Sequence, residues 1–521
     1  MKVLLVTGQL AKDIVQKYCR ESNVEAEVIS LPMAVASLMS PKYIARELKK
    51  ETLKDFNLIL LPGLVFGDVS LVEEVTHIPT FKGPRYAADL PLILNLLDKL
   101  KLSKVTPADD LVKNELQKRI FESLKEVEEN RDILLKKQGN LEIGNLAVGE
   151  DFPIRIMAEI VDAPLLSDEE IQKKALYYVN CGADIVDLGM IANESRPMDV
   201  IRAIKCVRKV VNVPISVDTM DIEEIKVAIS IGADMILSID AGNMEEVSKF
   251  ASKTAFVVIP TNFREKYFPK LASERVRVLE ENLKRARELG LNKIMADLIL
   301  DPVISPGITE SIVAYYEFRR RNPNTPLFMG VGNVTELMDA DTVGVSAIMT
   351  GIATELGVSV ILTTEVSDKN RGNVRELSIA SKMMFIAKKR NCIPKGLGID
   401  LLIMRDRKLR DTPFDTSLKD KVKVITATEP QKYYKADLKG YFKIYVDREE
   451  EKIIVTHYNH SNSSKPNLII EGKNAESIYK CIINNGLISL LDHAAYIGSE
   501  LQKAEIALKL GKSYIQDSPL Y

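Results

Sequence analysis

The chain has no tryptophan, four histidines and five cysteines among its 521 residues. Cys19, Cys181, Cys206, Cys392 and Cys481 are scattered and form no CxxC pair. That argues against a zinc knuckle or an iron–sulfur cluster and suits a reducing compartment. His77 lies near the start, and His457, His460 and His493 lie near the end. The central region therefore lacks imidazole. Its chemistry falls to carboxylates, amides, hydroxyls, lysine and arginine, and no metal ligand set is expected there. No apolar run approaches the length of a membrane span. Met1–Val6 reads as a first strand leading into Thr7-Gly8, not as a signal peptide. Neither sign of charge dominates, with 71 Lys and Arg against 73 Asp and Glu. This leaves no electrostatic ground for a nucleic acid or an anionic membrane as partner. A cytoplasmic protein is the expectation.

What is present is patterned apolar sequence, 46% of the chain, enough for two to four packed domains. Residues 1–105 alternate strand-like and helical runs, as in a doubly wound sheet of Rossmann or flavodoxin type. Thr7-Gly8-Gln9 could hold an anion at a helix start, but neither GxGxxG nor GxxxxGK[ST] occurs. Residues 106–145 are charge-rich and read as a helical connector, either a solvated linker or one packed on the barrel or on a second subunit.

Residues 146–392 hold the organising pattern. Short Ile- and Val-rich runs alternate with helical stretches and stop on small polar or acidic residues. Eight such strands are expected: Ile154–Ile160, Asp184–Leu188, Pro214–Asp218, Met235–Ile239, Ala255–Ile259, Lys293–Asp301, Pro326–Gly330 and Val358–Leu362. Ser167-Asp168-Glu169-Glu170 and Asp221-Ile222-Glu223-Glu224 fit capping boxes. This predicts a (β/α)8 TIM barrel, with an open doubly wound sheet as the competing reading. Residues 393–521 predict an α+β domain, with strands at Val422–Ile425, Phe442–Val446, Lys452–His457 and Leu468–Glu471. The fold class is thus α/β, a central barrel flanked by an N-terminal doubly wound domain and a C-terminal α+β domain.

In such a barrel the C-terminal strand ends face the active site. The candidates there are Asp162, Asp187, Asn193, Asp218, Ser238, Asp240, Thr261, Asn262, Asp301, Asn333 and Thr363 to Glu365. Carboxylates accept from ring N–H and amino groups, and amides both donate and accept, so converging residues of these types can read a flat heterocycle. Each aspartate taken singly is as readily a helix N-cap.

Three of these stretches resemble the dihydropteroate synthase family. Gly182–Pro197, with Asp187-Leu188-Gly189 and Glu194-Ser195-Arg196-Pro197, is similar to its segment GADIIDIGGESTRPG. Pro214–Thr219 is similar to PISIDT, and Leu300-Asp301-Pro302 to LDPG. The resemblance covers a little under half the chain. It implies pterin binding by Asp218 and Asp301, with Asp187, Asp240, Asn262 and Asn333 around the ring. It implies that Arg196, on the loop after the second strand, acts with Asp218 in catalysis and helps hold pyrophosphate, with Lys369 and Arg371 as further phosphate contacts.

The sequence departs from the synthase pattern at three places, the first being Leu237-Ser238, where the synthase has a pterin-facing asparagine after the fourth strand. Gly330-Val331-Gly332-Asn333-Val334-Thr335 resembles instead the SNVS of the pterin methyltransferases, whose asparagine faces the pterin N5. Thr363-Thr364-Glu365 replaces the synthase's closing Arg-Val-His. The activity implied is condensation of a dihydropterin diphosphate with an arylamine in folate or tetrahydromethanopterin biosynthesis. The alternatives are methyl transfer with a corrinoid protein as partner, or pterin binding without catalysis. A reduced pterin is the expected substrate, Mg2+ is the other usual supplier of charge to pyrophosphate, and a homodimer is expected by analogy. Gly440–Asp447 and Leu491–Gly498 resemble a small uncharacterised domain found beside methanopterin-linked enzymes. The C-terminal histidines read as polar surface residues.

Overall fold

Eight parallel strands close in chain order: Arg155–Ile160, Ile185–Gly189, Ile215–Asp218, Met235–Ile239, Ala255–Val258, Ile294–Ala296, Leu327–Gly330 and Val358–Thr364. The last pairs with the first, from Val360 opposite Arg155 to Thr364 opposite Glu159. The structure, a computed structural model, describes residues 1–53, 55–251, 253–405, 416–427, 435–460 and 465–520, apart from the side chains of 113–117, 417 and 418. Two compact units divide it, Met1–Met404 and Arg405–Tyr521.

Successive strand residues point to opposite faces, so each barrel strand serves two cores. Met157, Ile185, Met235, Val257, Met295, Phe328 and Val360 fill the inside of the barrel. Ile156, Val186, Val217, Ile236 and Phe256 belong to the larger cluster that includes the surrounding helices. The floor is closed by a hairpin, Leu141–Ile143 paired with Leu146–Val148, whose Ile143 and Val148 join the inner cluster. The connector is therefore not helical throughout. Its helix Lys113–Glu129 is followed by this plug, whose three-residue strands are too short to announce themselves in sequence.

Of the two expected capping boxes, one is complete. Ser167 accepts from the Glu170 amide, and the Glu170 carboxylate accepts from the Ser167 amide at 2.8 Å. Ser167→Ala is expected to cost about 1 kcal/mol, read as a shift in the urea midpoint of the full chain. At the second, Asp221 caps the Glu224 amide, but the Glu224 side chain turns away. It accepts from the Thr219 hydroxyl and from the Arg196 amide, so it ties the loop after the second strand to the third.

The N-terminal domain is a parallel sheet in the order Glu25–Ser30, Lys2–Thr7, Leu58–Leu61, Thr80–Lys82. The three-residue fourth strand was not foreseen in the pattern. At Thr7-Gly8-Gln9 the two amides after Gly8 are already engaged. The amides of Gln9 and Leu10 donate to the carbonyls of Met33 and Ala34, and a Cβ on Gly8 would strike that same segment. The domain meets the last barrel helix, Asn373–Arg390, through an ion pair of 2.8 Å between Arg390 and the buried Asp89.

In the C-terminal unit, Tyr441–Asp447, Lys452–Tyr458 and Leu468–Gly472 form an antiparallel sheet, covered by helices Ala475–Asn484 and Leu491–Leu510. Val422–Ile425 is exposed and lies in no strand. Asn459 to Lys465 reads as a loop, and its residues 461–464 lie outside the described ones. The histidines are not all on the surface. His457 is buried, and His493 nearly so. Both are spent on one turn. His457 Nε2 lies 2.9 Å from the Lys439 carbonyl, and His493 Nδ1 lies 3.2 Å from the Asp437 carboxylate. The exposed His460 reaches the Asp437 carbonyl at 2.7 Å. Burial alone would raise the Asp437 carboxyl, but the Ser489 hydroxyl and the amides of Lys439, Ser489 and Leu490 outweigh it and hold it well below the usual range. No helix among the described residues is long and apolar enough to cross a membrane.

Candidate functional site

The inner-face alternation that places Met157, Ile185 and Met295 in the barrel places the residues two positions on, Glu159, Asp187 and Asp297, at its mouth. Register aligns Glu159 with Asp187 and Asp187 with Ser216 on three adjacent strands, and Asp218 ends the third. Oxygens of Glu159, Asp187 and Asp218 lie within 4.8 Å of one another. Asp187 is fully buried. Its Oδ1 accepts from the Ser216 hydroxyl, and its Oδ2 has no hydrogen-bond partner. Gly189 lies against this cluster, and a Cβ there would push the Glu159 carboxylate from its present position.

Burial and mutual repulsion raise every carboxyl in the group. Burial first, then the charges of Asp218 and Asp162, push Glu159 up to about 8. Burial, then Asp218 and Glu159, hold Asp187 well above its ordinary value. Burial and the charge of Asp297 push Asp218 up to about 7. Burial raises Asp297 to about 6, offset in part by the Tyr315 hydroxyl at 2.5 Å and the Ile299 amide at 2.8 Å. Asp218 thus faces Glu159 and Asp187 on its own side of the barrel and Asp297 from the sixth strand.

Of the residues expected around a pterin, Asp187 and Asp218 are in this cluster, and three others are committed elsewhere. Asp301 lies beyond the sixth strand, bound to Arg275 at 2.5 Å and to the Ser311 hydroxyl at 2.8 Å. Asp297 occupies the strand end instead. Asp240 is fully buried and accepts from the Thr261 hydroxyl and the amides of Phe263 and Gly242, which pins the loops after the fourth and fifth strands. Asn262 caps its own turn by accepting from the Glu265 amide at 3.2 Å. Asn333 sits just past the seventh strand and donates to the Leu300 carbonyl at 2.8 Å, close to the loop that follows Asp297.

The expected phosphate contacts are also engaged. Arg196 is half-buried and bound to Glu194 at 2.6 Å. Lys369 donates to the Thr335 carbonyl, and Arg371 is exposed with its charge felt by Glu365. Glu365 itself anchors a loop, accepting from Tyr177, Gly372 and Val374. Around the mouth, exposed apolar side chains follow six of the eight strands: Leu165, Met198, Phe263, Ile304, Leu337 and Val366.

Three family models match the chain. One described as pterin binding enzyme covers residues 161–361, one described as PterinBD-DUF4346 covers 436–517, and a family of unknown function (DUF6513) covers 1–85. An uncharacterized protein of Methanocaldococcus jannaschii is 41% identical over 536 aligned positions, spanning 100% of this chain and 99% of that protein. A Ycf91-like protein of Nostoc is 26% identical over 111, covering 17% of this chain and 87% of that one. Among solved structures, the dihydropteroate synthase of Xanthomonas albilineans in complex with 7,8-dihydropteroate is 18% identical, covering 48% of this chain and 98% of its own, with a TM-score of 0.38. That of Stenotrophomonas maltophilia with active site-bound imidazole is 20% identical, covering 49% and 99%, with a TM-score of 0.40. With its whole length matched by the methanogen protein, this chain belongs to that protein's family, and its barrel matches the family model described as pterin binding enzyme.

Proposed function

We propose that the barrel binds a reduced pterin at its C-terminal mouth and acts on it as a transferase. The reaction is condensation of a dihydropterin diphosphate with an arylamine, in folate or tetrahydromethanopterin biosynthesis. The observation that carries the reading is the pair Asp218, at the end of strand three, and Asp297, just past strand six on the inner-face register, whose charge helps raise Asp218 across the mouth. A pterin edge presents adjacent N–H and NH2 donors, and paired carboxylates accept from both. Arg196 stands on the loop where a departing pyrophosphate needs positive charge, once it exchanges Glu194 for phosphate oxygens.

Asp218→Asn is expected to weaken binding of a dihydropterin by about 1–3 kcal/mol, the usual cost of losing a charged hydrogen bond. Equilibrium fluorescence titration of the full chain measures this, and unchanged affinity would remove Asp218 from the pterin site. The reaction is tested by pyrophosphate release from a dihydropterin diphosphate, Mg2+ and an arylamine.

A second reading, methyl transfer from a methylated tetrahydropterin to a corrinoid protein, is favoured by the apolar rim and by Asn333 beside the loop after Asp297. Such a rim suits a partner that covers the mouth. Methyl transfer to free cobalamin, without pyrophosphate release, would select it.

A further inference from the structure

We propose that Glu159, Asp187 and Asp218 bind one divalent cation of the hard, oxygen-seeking kind, Mg2+ or Mn2+, at the base of the barrel mouth. Three observations lead there. The ends of three adjacent strands bring oxygens of the three carboxylates within 4.8 Å of one another. Oxygens sharing one hard cation at roughly 2.0–2.6 Å from it are themselves separated by up to about twice that distance, so a single ion can collect all three.

Asp187 supplies the second observation. It is fully buried, the Ser216 hydroxyl satisfies only Oδ1, and Oδ2 has no hydrogen-bond donor. A buried carboxylate oxygen without a donor forfeits the free energy of a hydrogen bond to a charged group. The two other acids at this end of the barrel with almost no solvent exposure, Asp240 and Glu224, are satisfied by donors. Asp240 has three, and Glu224 has the Thr219 hydroxyl and the Arg196 amide. Asp187 therefore lacks something a cation would supply.

The third observation concerns charge. Among the described residues, none of the three carboxylates forms an ion pair with a lysine, arginine or histidine. Arg196, Arg264 and Arg275, on the loops and a helix of this unit, are bound to Glu194, Glu246 and Asp301. The donor set is all oxygen, with no histidine in the barrel, which favours Mg2+ or Mn2+ over zinc or copper. Gly189 leaves room for the Glu159 carboxylate to approach the other two.

The cation site stands apart from the pterin reading, because its probe is the metal alone. Chelator-treated full-length protein is titrated with Mn2+, and the loss of the free-ion signal is followed by electron paramagnetic resonance. The expected result is one Mn2+ per chain, displaced by excess Mg2+, with affinity at least tenfold weaker in Asp187→Asn. Circular dichroism reports whether that variant folds; if it does not, Glu159→Gln takes its place with the same expectation. Failure of the wild-type chain to take up Mn2+, or wild-type affinity in the folded variant, overturns the proposal. Pterin titration without metal separates the two ideas. A chain that binds pterin but no Mn2+ refutes only the cation site, and one that binds Mn2+ but no pterin refutes only the pterin reading.

Discussion

Arg275→Met is expected to destabilise the barrel unit by about 3–5 kcal/mol, the cost of leaving a buried charge without its partner. The Arg275 side chain is 7% exposed and that of Asp301 is 13% exposed, so little water reaches either. The guanidinium does more than pair with Asp301. It donates to the carbonyls of Pro269 at 3.1 Å and Ile299 at 2.8 Å, and to the Ser311 hydroxyl at 3.3 Å. Ile299 has φ of 62°, a left-handed conformation that a β-branched residue adopts only when its surroundings impose it. Arg275 is part of those surroundings. Methionine keeps most of the apolar stem and supplies none of the five donors. Urea unfolding followed by circular dichroism measures the change. Adding Asp301→Asn to the variant removes the orphaned charge and is expected to recover part of the loss. A change below about 1 kcal/mol would mean that solvent satisfies Asp301.

The same segment explains where the sequence was legible and where it was not. Most barrel strands were readable because Ile and Val runs end abruptly at a turn residue. Lys293 to Asp301 misled because Leu298, Ile299 and Leu300 look like more of the strand. The strand stops at Ala296. The chain then turns through the left-handed Ile299, whose amide closes back on Asp297. That conformation leaves no mark on residue type, so Asp297, not Asp301, stands at the strand end. Glu159 was hidden for a different reason. It is the one acidic residue inside an apolar strand, and Asp162 just past the strand drew the assignment. Period-two alternation from Met157 would have found it, as it finds Asp187 from Ile185. The loop bonds of Asp240 and Asn262 leave no trace in the sequence, because residue type does not tell a ligand contact from a loop pin. Both are the same carboxylate or amide, distinguished only by donors from residues up to 23 positions away.

Between pH 6.5 and 8 the chelator-treated protein is expected to lose stability as pH rises. Glu159 at about 8 and Asp218 at about 7 titrate in the folded chain well above the value near 4 of an unfolded carboxyl. In this window the folded state holds protons that the unfolded state has released, so the difference in bound protons is negative and stability falls with pH. The stabilisation is fully present below the unfolded value and is lost as pH passes through each folded one. Each proton fully retained only by the folded state contributes about 1.4 kcal/mol per pH unit. Burial holds His457 below its ordinary value, which works in the opposite sense. That contribution ends near pH 6.5, where an unfolded histidine loses its own proton, and it belongs to the C-terminal unit. Asp437, held low, acts only in acid. Glu159→Gln removes the group with the highest of the printed values in the cluster and is expected to flatten the slope above pH 7. Urea midpoints at half-unit steps of pH, for the wild type and this variant, measure both. A wild-type slope that is flat or rising would show that the three carboxylates share no buried repulsion.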